Sequence, residues 1–193
     1  MNEKWIDEYL KMLSSFPGLF NPNSEQFYFE PTKRIYQKLE SGEEKDLQDV
    51  TTEISQYLGI FPAPVAKYEW GIKMELEHAG DYLQYHIRIP FHFVGNKYAV
   101  GSILAHEITH AFLELKGIRL KDKDEHERLT DLGTIYIGLG KLTINGLRSG
   151  VGYLPQELKI YAYKKIAELR SISKSAAMEN LDKDAKAELI KIF

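Results

Sequence analysis

Residues 98–115 are almost entirely apolar or small, yet their centre reads "AHEITHAF" (105–112), two histidines four positions apart around a glutamate. A stretch this apolar and free of proline is a buried helix, and a buried helix cannot carry unpartnered polar groups in its middle. On a helix, residues four apart are separated by about 40° around the axis and one turn along it. His106 and His110 can therefore aim both imidazoles at one point. Ile103, Leu104, Ala111 and Phe112 bury the helix and hold those imidazoles rigidly.

The pattern is H-E-x-x-H, in which two histidines bind a metal ion and the glutamate acts on a water beside it. His106 and His110 are the candidate ligands, and Glu107 is the candidate base. The bland reading is a helix whose two imidazoles are hydrogen-bonded to neighbours. A catalytic zinc takes three protein ligands and leaves one position open, so a third donor must lie nearby in space. The chain has no cysteine, which limits that donor to His, Asp or Glu. A continuation of the helix as HExxHxxGxxH is ruled out, because position 113 is Leu and position 116 is Lys. The other solution is a glutamate on the next helix, followed one turn later by an aspartate that orients a histidine through its second nitrogen. "ERLTD" at 127–131 supplies Glu127 and Asp131 on one helix face, and Gly117 breaks the first helix so that the chain can reverse. Asp124, Glu125 and His126 are rival donors, and Asp131 could itself be the third ligand. His78, His86 and His92 have no spacing that demands chemistry.

Across residues 106–131 the chain resembles the zincin metallopeptidases, and within them the gluzincin pattern H-E-x-x-H…E-x-x-x-D; "HEITH" is similar to the H-E-x-T-H form of thermolysin-like enzymes. The resemblance implies zinc bound by His106, His110 and Glu127, with Glu107 as general base and acid and Asp131 orienting a ligand. It also implies an antiparallel edge strand that flanks the active-site helix and binds substrate backbone by strand addition. The alternating segment 82–89 fits that role through Gln84, Tyr85 and His86. At 193 residues the chain has no room for the large C-terminal domain that supplies thermolysin-like enzymes with a transition-state stabiliser. Tyr136, Arg148 and Tyr153 are the candidates to donate to a developing oxyanion instead. Small single-domain zincins are the better comparison.

Around this centre, helical periodicity is read over residues 3–15, 32–39 and 43–58, and again over 126–142, 155–172 and 181–192. Strand content is confined to 65–76 and 82–89, with Pro90 ending the second strand or marking an edge. The fold class is therefore α+β, zincin-like, mostly helical with a small, largely antiparallel sheet. One domain spans 1–193: N-terminal helices to 58, sheet and metal-site helices over 60–145, and C-terminal helices over 146–193.

A net charge of -3 without clustering gives no cationic field for phosphate backbones, so no nucleic-acid partner is expected. Residues 1–16 mix charges with apolar residues and carry no export signal. The apolar run 132–147 holds Lys141 and Asn145, which argues against a membrane span. The expectation is a cytoplasmic, zinc-dependent metallopeptidase acting on a peptide or protein substrate. The alternatives are a zincin-like metal-binding domain with a structural or regulatory role towards a protein partner, and a metal-free helical interaction module.

Overall fold

The computed structural model describes residues 2–19, 28–70, 82–83 and 86–192. α1 (Glu3–Ser14) begins where the Asn2 side chain accepts from the Trp5 amide, and it buries Ile6, Leu10 and Leu13. α2 (Lys33–Ser41) starts behind Thr32, whose hydroxyl accepts from the Ile35 amide, and α3 (Glu44–Leu58) follows. Three short strands, β1 (Val65–Glu69), β2 (Tyr82–Leu83) and β3 (His86–Pro90), lead into α4 (Lys97–Leu115), capped by the Asn96 side chain. α5 (Lys123–Thr134) is capped by Asp122 and runs through a wide π-helical turn, Ile135–Leu139, into α6 (Gly140–Asn145). α7 (Gln156–Leu169), α8 (Lys174–Met178) and α9 (Lys183–Ile190) complete the chain. The described residues are thus mostly helical with a small sheet, an α+β arrangement. None of their helices is long and apolar enough to cross a membrane.

α4 is the axis of the fold. It packs against α2, α3, α5, α6, β2 and β3, and its residues 99–109 and 111–113 are all buried. A helix covered on nearly every side shows no polar face, which is why its sequence is apolar or small apart from a few polar residues that find partners. One continuous hydrophobic core runs from Ile6 and Leu10 through Ile103, Leu104 and Ile108 to Ala185 and Leu189.

Two expectations are corrected. The sheet is mixed: β1 and β3 pair in parallel from Val65↔His86 to Glu69↔Pro90, while β2 and β3 pair antiparallel only at Tyr82↔Ile87 and Leu83↔His86. The strand order β1-β3-β2 places β3 in the middle, so the segment expected as one edge strand is two strands, and its longer part is central. Alternation marked Ile87 and Ile89 as buried and His86 as exposed, which they are, but it reports the face of a strand and not its neighbours. Gln84, Tyr85 and the part of the first expected strand beyond Trp70 lie outside the described residues. The second correction is the helix over 126–142, which breaks at Gly138, where φ is 101°. Residues 129–146 are buried all round, so periodicity carries no mark of the break.

At the end of α6, Gly146 lets that helix lie directly on α4. A Cβ there would stand 2.7 Å from the Ser102 Cβ and 3.0 Å from the Tyr98 carbonyl oxygen. Gly146→Ala is expected to lower stability by about 1–3 kcal/mol, the usual cost of overpacking. Urea unfolding measures it, and an unchanged midpoint would contradict the close approach of the two helices.

Candidate metal centre

Because α4 and α5 pack side by side, the histidine pair of one meets the first turns of the other. His106 Nε2 lies 3.1 Å from Glu127 Oε2, His110 Nε2 lies 2.9 Å from the same oxygen, and the two Nε2 atoms are 3.0 Å apart. His106, His110 and Glu127 are the group among the described residues whose donor atoms converge closely enough to hold a metal ion. Zinc with ligands about 2.0–2.1 Å away keeps those ligands roughly 3.4 Å apart when tetrahedral. The observed triangle needs only a few tenths of an ångström of expansion to accept it.

The far nitrogen of each ring fixes how the near one is presented. His106 Nδ1 donates to Asp131 Oδ1 at 2.8 Å. Thr130 Oγ1 gives its own proton to the His126 carbonyl, so at 3.2 Å it accepts from His110 Nδ1. With both Nδ1 protons committed outward, both Nε2 lone pairs turn inward onto a carboxylate oxygen. Three lone pairs this close repel one another unless a cation sits among them.

In the metal-free chain a proton takes that place. Burial by itself lowers the pKa of His106, but its hydrogen bonds to Asp131 and Glu127 outweigh burial and push it up to about 10. Burial, reinforced by the charge on His106, holds His110 below its usual value. Burial would raise both carboxyl groups, yet both are held well below the usual carboxylate range. For Glu127 the cause is its hydrogen bonds from His106 and His110; for Asp131 it is the charge of Lys159 together with His106. The Glu127 and Asp131 carboxylates thus stay ionised beside one protonated imidazole.

Asp131 is bound from behind as firmly as from the front. Its Oδ2 accepts from the Tyr153 amide at 2.6 Å and the Leu154 amide at 2.7 Å, and it lies 3.5 Å from the Lys159 ammonium. The glycine-rich connection that carries the oxyanion candidate Tyr153 therefore returns to the site. Neither Thr130 nor Lys159 was singled out from the sequence. Thr130 stands one position before Asp131, where the facing side of α5 could have suggested it, but nothing local links Lys159 to a carboxylate on another helix.

Glu107 is buried on α4 beside His106, and its charge helps to raise the pKa of that ring. Of the rival donors, Glu125 accepts from the Tyr9 hydroxyl, Asp124 is exposed, and the His126 ring stands 5.4 Å from that of His110. The three oxyanion candidates separate. Tyr153 lies on His106, with ring centroids 5.6 Å apart and planes 27° apart. Tyr136 instead packs under the Arg170 guanidinium, and Arg148 is exposed and paired with Asp184 on α9. Comparison of the chain with models of known protein families, with curated proteins and with solved structures finds no match.

Two outcomes follow from this geometry. Replacing His106, His110 or Glu127 by Ala should abolish binding of one zinc per chain, whereas Asp131→Asn should weaken it about 10–100-fold, as loss of an orienting partner does; metal analysis and chelator competition distinguish the two. Because the proton on His106 is still held at pH 7.5, zinc binding there should release about one proton, and apparent affinity should rise with pH towards 10. Calorimetry in buffers of different ionisation enthalpy reads that proton; a binding heat independent of buffer contradicts it.

Proposed function

We propose that this chain is a zinc-dependent metallopeptidase of zincin type, with His106, His110 and Glu127 as ligands and Glu107 as general base and acid. The observation that carries the reading is the convergence of the three donor atoms, with both histidine tautomers set from behind by Asp131 and Thr130. Zinc, when bound, would polarise a scissile carbonyl and acidify a water beside it.

The chain's own groups would do the rest. Glu107 takes a proton from the water as its oxygen joins the carbonyl carbon, and returns that proton to the amine nitrogen as the C–N bond breaks. It is buried, and in a medium of low dielectric a carboxylate acts strongly on a nearby proton. Tyr153, lying against His106, is the phenol best placed to donate to the developing oxyanion. A peptide substrate would add along an edge of the sheet, which among the described residues means β1 or β2, because β3 already has a neighbour on each side. Of the residues expected to hold the substrate strand, His86 opens the central strand β3, and Gln84 and Tyr85 lie outside the described residues.

Glu107→Gln tests the reading. Zinc content should stay near one per chain while hydrolysis of a peptide library falls by about 10² to 10⁴, the range of general acid–base catalysis. Hydrolysis that persists in the variant rules out Glu107 as the base. A wild-type chain that binds zinc tightly yet cleaves no member of a broad library supports the regulatory alternative.

A further inference from the structure

Lys159 projects from α7 into the interior and is 4% exposed. Its Nζ donates to the Val151 carbonyl at 2.7 Å and lies 3.5 Å from Asp131 Oδ2. An ammonium is costly to bury, and it persists inside a protein where carboxylate or carbonyl oxygens replace its water. Here those oxygens belong to the carboxylate that orients His106 and to the loop that lies over it. The loop's approach is specific, since a Cβ on Gly152 would stand 2.3 Å from Lys159 Nζ and 2.7 Å from Asp131 Oδ2. Gly152 also sits at φ +94°, a conformation that side chains disfavour. One residue further on, Tyr153 donates its amide to Asp131 and lays its ring on His106.

We propose that Lys159 is a positioning residue of the metal centre, clamping Asp131 and the 150–154 loop so that His106 meets the ion in a single orientation. The proposal rests on the metal reading above. The clamp acts in sequence: the ammonium fixes Val151 and Asp131 Oδ2, the two loop amides fix the plane of the carboxylate, and Asp131 Oδ1 fixes the His106 ring through Nδ1. Charge supports the same assignment. Glu127 and Asp131 bring two carboxylates to the centre, and the Lys159 ammonium stands beside the second of them. Without Lys159, the Val151 carbonyl and Asp131 Oδ2 lose their shared donor, and the loop that carries the two amides is held less firmly against the carboxylate.

The test uses Lys159→Met, with Lys141→Met as control. Lys141 is also fully buried and paired, to Glu30, but on α6 and not with Asp131 or the metal ligands. Lys159→Met should weaken zinc binding 10-fold or more and change the visible absorption spectrum of the cobalt(II)-loaded protein, which reports ligand geometry. Lys141→Met should leave both readouts at wild-type values even where it lowers thermal stability. Asp131→Asn combined with Lys159→Met should bind zinc no more weakly than Asp131→Asn alone, because the lysine acts through that carboxylate. Should Lys159→Met fail to fold, Gly152→Ala keeps the lysine and drives the loop off the clamp, with the same two changes expected. Wild-type affinity and an unchanged cobalt spectrum in a folded Lys159→Met or Gly152→Ala chain would overturn the proposal alone. A wild-type chain that takes up neither metal overturns the metal reading and this proposal with it.

Discussion

Burial of α4 from Ala99 to Leu113, where His110 alone is half-buried, is the constraint on which the rest of the structure depends. A helix with neighbours on every side must find a protein partner for every polar atom it carries, because water cannot supply one. For Thr109 the partners are the Ala105 carbonyl and Thr134. For His106 and His110 they are Asp131 and Thr130 on one side of each ring and Glu127 on the other. The α5 residues that complete the centre are thus selected by the same requirement that lets α4 be the core of the fold.

That coupling gives the site its rigidity. Asp131 is held by a ring on α4, two amides of the 150–154 loop and an ammonium on α7, so four segments meet at one carboxylate. Buried ion pairs of this kind contribute little net stability, since desolvation offsets most of the attraction, but they penalise every arrangement that leaves one partner alone. The arrangement favours one geometry over its alternatives, which is what a metal centre needs from the groups around its ligands.

The sequence carried the local part of this. His106, Glu107 and His110 were legible because helical spacing fixes their relation to one another, and Glu127 and Asp131 because a second helical face repeats the logic one connection later. Helices start behind Asn2, Thr32 and Asn96, whose side chains cap the backbone, whereas α5 starts at Lys123, behind Asp122, three residues before the 126 expected from periodicity. What could not be read depends on contacts between distant segments. The parallel pairing of β1 with β3 joins strands that alternation alone cannot register. The break at Gly138 lies in a stretch buried on all sides, where no polar face drifts out of phase to reveal it. Lys159 looks like any charged residue on an amphipathic helix until the fold sets it against Asp131. Tyr136, Arg148 and Tyr153 were indistinguishable as candidates by type, and only the path of the 150–154 loop brings Tyr153 to the histidines.

His106 Nε2, His110 Nε2 and Glu127 Oε2 lie within 3.1 Å of one another, and the proposed function requires that they share one ion. X-ray absorption at the zinc edge of the purified, zinc-loaded chain observes that directly. The predicted spectrum shows nitrogen and oxygen donors at about 2.0–2.1 Å with the multiple-scattering signature of two imidazoles. A shell of oxygen donors without imidazole, or a chain that retains no zinc after loading and buffer exchange, would contradict it.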